Sequence, residues 1–205
     1  MNPDEILDFI KSRRSIRNFK KTIIPIEDIQ RAIEAACFAP SNGNYQPWKF
    51  IYIKDESVKE RLGKMVIEKV DLISKKIERD DWENEIRQYS RYFSFFIDAP
   101  AIIIALYKMA PSALRKILKD TEINQTHSEL ASVSAAIQNM LLMFHSMGYG
   151  SCWMTGPLLI AKKEMEEFLE IKRPFEITAL ISFGVPEEMK NAPRRREINK
   201  IFEIK

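Results

Sequence analysis

HSELASVSAAIQNMLLMFHSMGYGSCWMTGP, residues 127–157, decides how the rest of the chain is read. Leu130, Val133, Ile137, Met140, Leu141 and Phe144 recur at steps of three and four, the period of an α-helix. Ala131, Ser132, Ser134, Ala135 and Ala136 fill much of the remaining surface. A helix that is apolar or small nearly all round is buried on most sides. Its small residues let a second backbone approach closely, and in a chain of 205 residues that backbone is expected to belong to a second copy. Gly148 stops the helix at the C′ position. Gly150 to Met154 reads as a short buried strand, and Thr155-Gly156-Pro157 as the loop that ends it.

Upstream, Asn2 caps a first helix with Pro3 in its first turn, and Ile6, Leu7, Phe9 and Ile10 form its apolar face. The pattern breaks at Arg13 to Phe19, RRSIRNF. Pro25 to Ala39 is a second amphipathic helix. Pro40 to Pro47, PSNGNYQP, is a loop of turn formers and amides, and Trp48 to Lys54 alternates like a strand. Glu56 to about Phe96 is helical and highly charged, with an expected break near Asp80-Asp81 and a solvated outer face. Ala101 to Tyr107, AIIIALY, has the continuous apolar character of a central strand. Lys108 to Asn124 is a polar excursion holding a short helix over Ser112 to Lys119. Downstream come a helix over Ala161 to Leu169, a buried strand over Phe175 to Val185, and a basic tail whose final IFEIK suits an added strand. Long helical crossovers between the strands predict an α+β fold: a mixed α/β sandwich, with a small mixed sheet flanked by helices. One domain over residues 1–205 is expected, with 108–125 as an excursion or lid.

Hydrophobic residues make up 45 % of the chain, enough for an ordinary core. Charged residues reach 30 % but leave a net charge of only +3, which argues against a nucleic-acid binder. Cys37 and Cys152 fit no metal spacing and read as reduced thiols, so no metal is expected. The acidic, amphipathic start is unlike a signal peptide, and Ala99 to Tyr107 is too short to cross a bilayer. A cytoplasmic protein with no membrane partner is the expectation.

Chemistry is marked first by what is missing. No nucleophile elbow, zinc-protease helix, phosphate-binding Walker loop or G-x-G-x-x-G is present. Of the two histidines, His145 sits in the last helical turn before Gly148 and reads as a capping or packing residue rather than a base. No side chain is expected to be catalytic, so a bound cofactor would carry any reaction. Three places look built to hold one. Arg13, Arg14, Ser15 and Arg17, at a helix exit, suit a phosphate clamp. In the tail, Arg194 and Arg196 point the same way in extended chain; a solvated basic tail is the plainer reading. In the loop, Asn42, Asn44 and Gln46 put three amides on one side of an extended segment, which suits the edge of a flat heterocycle. A turn-rich connection before a strand is the alternative.

Taken in order, RRSIRNF, APSNGNYQPWKF, AAIQNMLLMFHSMGYGSCWMTGPL, then FGVPEE and the arginine-rich tail resemble the FMN-dependent nitroreductase family nearly end to end. The resemblance implies an intimate homodimer with FMN in two symmetric interface clefts, the C-terminal tail being swapped onto the partner. It implies that Arg13, Arg14, Ser15 and Arg17 hold the phosphate and ribityl chain, and that Arg194 and Arg196 close on the same phosphate. Pro40, Ser41, Asn42 and Asn44 would border the ring from the other subunit, with Gln46 supporting that loop. Thr155 and Gly156 would present backbone N–H groups near flavin N5 and O4. The implied activity is hydride transfer from NADH or NADPH through the flavin to a small-molecule acceptor such as a nitroaromatic or quinone. Flavin-cleaving and dehalogenating enzymes share the scaffold, and a flavin-binding storage or sensor protein without turnover is the rival outside enzymology. A basic-tailed interaction module is the reading without the resemblance. Two departures stand out. Only Arg91 offers a charge where many relatives place an amide and a lysine beside the flavin pyrimidine edge, and Thr155 stands where some relatives have an acidic residue. Tyr92, Phe93, Phe95 and Phe96 read either as helix core or as lining of a substrate cleft.

Overall fold

A computed structural model describes residues 2–76, 88, 92–109, 127–189 and 191–205. The expected break at Asp80-Asp81, the helix over Ser112 to Lys119 and Arg91 lie outside the described residues. Helix α1 (Pro3–Ser12) starts on a reciprocal cap: Asn2 Oδ1 accepts from Glu5 N at 2.9 Å, and the Glu5 carboxylate accepts from Asn2 N at 2.9 Å. Helix α2 (Ile26–Cys37) buries Ile29, Ala32 and Ala36. Strand β1 (Trp48–Ile53), helix α3 (Glu56–Ser74) and strand β2 (Ala101–Lys108) follow. The organising stretch becomes helix α4 (Ser128–Ser146) and strand β3 (Gly150–Met154), separated by Gly148 at φ +82° as a left-handed stop requires. Helix α5 (Gly156–Phe168) and strand β4 (Phe175–Gly184) complete the core.

The four strands lie in the order β1-β2-β4-β3, and every neighbouring pair is antiparallel. The expected mixture of directions is therefore corrected: the parallel pairing described is an isolated bridge, Ser15 to Ser151. The apolar run of β2 reports that both its faces are covered, which sequence cannot convert into strand direction. Ile102, Ile104 and Leu106 face a core shared with Leu62, Val66 and Val70 of α3, Phe96, and Met165 of α5. Ala101, Ile103 and Ala105 face the opposite core, with Ala32 and Ala36 of α2 and Val133, Ile137, Met140 and Phe144 of α4. There Phe144 stacks on Phe183 with ring centroids 4.2 Å apart. A register shift at Ala105/Leu106 leaves Thr178 as an extra residue in β4, so Ile177 and Leu180 serve the same core despite their odd spacing. The result is a sheet between two helical layers, the sandwich expected.

Two local expectations are corrected. Thr155-Gly156-Pro157 is not a terminal loop: Thr155 is the N-cap residue of α5 and Pro157 lies in its first turn, where a missing N–H costs nothing. The kink at Ala161 (φ −133°, ψ 27°) explains why the helical period becomes legible only beyond it. The tail adds no strand to its own chain's sheet. It is exposed, with a 3-10 turn at Ile198–Lys200, and leaves Ile198, Ile201, Phe202 and Ile204 in solvent. Helix α1 likewise buries none of its residues. Among the described residues no helix is long and apolar enough to cross a membrane, and no cluster of His, Cys, Asp or Glu is arranged to hold a metal ion.

Candidate functional site

Where α1 ends, the chain turns extended at Arg13 (φ −61°, ψ 138°) and runs beside β3. Ile16 N donates to Ser151 O at 3.1 Å. Ile16 is buried and rests on Gly150, where an added Cβ would come within 2.7 Å of its Cβ and Cγ1. Alternation along extended chain sends Ser15 and Arg17 away from Ile16. Arg14 folds back, its Nη1 donating to Lys11 O and to Arg13 O. Three guanidinium atoms, Arg13 Nη1, Arg14 Nε and Arg17 Nε, are buried with no hydrogen-bond partner among the described residues. Burial lowers the Arg13 pKa; the nearby Cys152 opposes this, while Arg195 and Arg14 add to it. Such an N–H without an acceptor costs roughly 1–3 kcal/mol.

Beside the cradle lies a cavity of ≈ 290 Å³, lined by Arg17, Tyr92, Phe93, Phe95, Trp153, Leu159 and the chain from Cys152 to Pro157. Arg17 Nη2 donates to Tyr92 Oη at 2.7 Å, and its guanidinium sits 5.0 Å and 5.7 Å from the Tyr92 and Phe95 ring centres. Gly156 leaves room for the Phe93 ring: a Cβ there would lie 2.2 Å from it, so the ring would have to move. The aromatic run thus divides, Phe96 joining the core while Tyr92, Phe93 and Phe95 line the cavity. Sequence offered no reason to place Cys152, Trp153 and Leu159 at this site; they are drawn in by the turn from β3 into α5. Burial pushes the Cys152 thiol pKa up, against the pull of Arg17 and Arg13.

His145 is a packing residue. Its Nε2 lies 2.6 Å from Ser12 Oγ and its ring stacks on Phe9 at 5.0 Å, fastening α1 to the end of α4. Burial lowers its pKa, and Arg13 and Arg14 lower it further, opposite to what a helix C-terminus alone would do.

The amide loop is not extended, which corrects the expectation of three amides on one side. Asn42–Asn44 forms a 3-10 turn, with φ +56° at Gly43, +54° at Asn44 and +49° at Gln46. Gln46 supports the turn: its N donates to Ser41 Oγ at 3.1 Å and its Nε2 to Asn44 Oδ1 at 3.2 Å. Asn42 is tied to the start of α4 through Ser128 Oγ and Ser132 Oγ, both at 3.3 Å. Ser128 and His145 stand at opposite ends of that helix, about 25 Å apart at 1.5 Å per residue. Within one chain, then, the loop carrying Pro40, Ser41, Asn42 and Asn44 is not brought to the arginine cradle. The tail reaches it only in part. Arg195 is the tail arginine whose charge acts on Arg13, whereas Arg194 lies 3.9 Å from Glu197 and Arg196 donates to Lys200 O at 3.4 Å.

The fold is thus an antiparallel sheet between helical layers, with a guanidinium cluster beside a cavity lined by aromatic rings. The Nitroreductase family model matches residues 10–185, and the chain belongs to the nitroreductase family of oxidoreductases. A Bacillus subtilis protein named as an NAD(P)H nitroreductase is 27 % identical, over 95 % of this chain and 91 % of its own length. An iodotyrosine deiodinase from Thermotoga neapolitana is 24 % identical over 94 % and 95 %. The crystal structure of a BluB-like flavoprotein from Clostridium difficile 630 superposes with a TM-score of 0.87 at 27 % identity, covering 97 % of this chain and 98 % of that one.

Proposed function

We propose that the protein is an FMN-dependent oxidoreductase that works as a homodimer, taking a hydride from NADH or NADPH and reducing a flat, electron-poor acceptor such as a nitroaromatic or quinone. The observation that carries this reading is the set of buried guanidinium N–H groups of Arg13, Arg14 and Arg17 with no acceptor. A phosphate would satisfy them by charge-assisted hydrogen bonds. Arg13, Arg14, Ser15 and Arg17 would hold the phosphate and ribityl chain, with Arg194 and Arg196 closing on them. The coiled tail seen in the single chain makes Arg195 a further candidate for that last role.

The separation of the amide loop from the cradle supports a dimer. A two-fold partner packed along α4 brings its own Pro40, Ser41, Asn42 and Asn44, steadied by Gln46, to the cradle of the first chain. The exposed apolar residues of α1 and the tail favour the same arrangement, including a tail swapped onto the partner. Near the ring, Thr155 and Gly156 would offer the N–H groups that open helix α5, which have no partner within the helix. FMN, when bound, supplies the two-electron exchange that no side chain here can perform. The protein's own tasks are to bind and orient it, to exclude water with the aromatic wall, and to hold positive charge against a reduced, anionic ring. No side chain is assigned a proton-transfer role, and residues 1–205 are taken as one domain.

Similarity to iodotyrosine deiodinases favours reductive dehalogenation as the second reading. Purification tests both. A yellow protein with an FMN spectrum that bleaches anaerobically with NADH or NADPH and recolours with a quinone supports the first; recolouring only with halogenated phenols supports the second. A flavin that neither nucleotide bleaches would leave storage or sensing. A colourless protein that FMN cannot reconstitute would refute the proposal.

A further inference from the structure

The arginine run is fastened at both ends to the α4–β3 unit. At one end, Ile16 N donates to Ser151 O at 3.1 Å. At the other, Ser12 Oγ lies 2.6 Å from Nε2 of His145, whose ring stacks on Phe9 with centroids 5.0 Å apart. Arg13, Arg14 and Ser15 span the stretch between. Arg14 is folded onto the last turn of α1, its Nη1 donating to Lys11 O and Arg13 O, so the helix carries this side chain with it. Helix α1 buries none of its residues. Among the described residues, the side-chain hydrogen bond and the ring contact that join it to the rest of the fold both end on His145. A second bond sets the direction of the first. Ser12 Oγ is 2.7 Å from Phe9 O, which can only accept, so the hydroxyl hydrogen goes there. The Ser12 oxygen therefore accepts from His145, and the ring carries a proton on Nε2.

We propose, on the FMN reading of the site, that His145 is a positioning residue: by holding Ser12 it fixes where α1 ends, and so sets Arg13 and Arg14 for the flavin phosphate. Its influence is confined to the phosphate end of the ligand. The wall from Cys152 to Pro157 is built by β3 and α5 instead.

His145→Leu keeps the bulk and removes the donor; His145→Gln restores an N–H at about the reach of Nε2. Fluorescence-quenching titrations on protein stripped of flavin compare FMN with riboflavin, which lacks the phosphate. Loss of one partly solvated hydrogen bond should weaken FMN about 3- to 10-fold in His145→Leu and in Ser12→Ala, with riboflavin within about twofold of wild type. His145→Gln should recover most of the loss, and Ser12→Ala added to His145→Leu should cost nothing more, because both break the same bond. Wild-type protein that binds FMN while both single variants match it overturns the positioning role and leaves the cofactor assignment standing. Equal losses for FMN and riboflavin overturn it too, since His145 would then serve the fold as a whole. So would a glutamine variant as weak as the leucine one, or additive losses in the double variant. If wild type binds no FMN, the functional reading falls and the role of His145 with it.

Discussion

Substitution of Gly150 by alanine tests whether the arginine segment is positioned by strand β3. Gly150 has an ordinary backbone conformation, so alanine meets no torsional barrier and gains about 0.4–1 kcal/mol from a stiffer unfolded chain. The difficulty is space. The new methyl would stand 2.7 Å from Cβ and Cγ1 and 2.9 Å from Cγ2 of Ile16, where ordinary contacts begin near 3.4 Å. These atoms cannot rotate away, because Cβ moves only with the backbone and the side chain is 2 % exposed. Ile16 must retreat by roughly 0.7 Å, and overpacking of this kind costs about 1–3 kcal/mol. The net loss is about 1–2 kcal/mol, read as a lower urea midpoint at unchanged m. The retreat also strains the Ile16 N to Ser151 O bond and shifts Arg13 and Arg17 on either side. Loss of one charge-assisted hydrogen bond would weaken FMN about tenfold. Gly148→Ala is the control, since no atom lies within 4 Å of its new methyl and its φ of +82° strains only the stop of α4. It should cost about 1 kcal/mol with flavin affinity unchanged. A Gly150→Ala protein with wild-type stability, or one destabilised but binding FMN normally, would refute the idea that β3 sets the cradle.

Four further outcomes follow from the same geometry. Arg13→Ala should weaken FMN at least tenfold while changing the unfolding free energy in urea by no more than about 0.5 kcal/mol, because the lost Nη1 has no partner to abandon. His145 has a pKa depressed by burial, Arg13 and Arg14, so the stability it lends is complete above the unfolded value and disappears as pH falls through the folded one. NMR titration of its ring should show that FMN or inorganic phosphate raises this pKa, and no change would remove the anion from Arg13 and Arg14. Tyr149 donates to Asp28 at 2.6 Å and its pKa is pushed up to about 12, chiefly by burial. Its contribution is therefore full below the unfolded value of about 10 and is lost between there and the folded one; Tyr149→Phe should lack that alkaline step in phenolate absorbance and lose about 1 kcal/mol at neutral pH. Finally, Phe202→Asp with Ile198→Asp should convert a dimer to monomers in sedimentation velocity and release FMN together with it.

Much of this protein is legible without coordinates because it depends on local periodicity. The cap at Asn2, the run from Ser128 to Ser146, the stop at Gly148 and the continuous apolar run of β2 are each set by residues a few positions apart. Arginine density at residues 13–17 marks a cradle for the same reason: its members are neighbours in sequence. What sequence left open are contacts between segments with no shared period. Tyr92 reaches Arg17 from 75 positions away, and nothing in either residue's neighbourhood announces it. The antiparallel direction of the strands, the helical start at Gly156 and the coiling of the tail are likewise choices among locally equivalent options. The sequence by itself determined most helices and strands of the core and the arginine run at residues 13–17, since those follow from the chemistry of adjacent residues. Only the tertiary structure decided that Tyr92 meets Arg17 and that the amide loop lies a helix length away from the arginine segment, because distance in a folded chain is set by packing that no local pattern encodes.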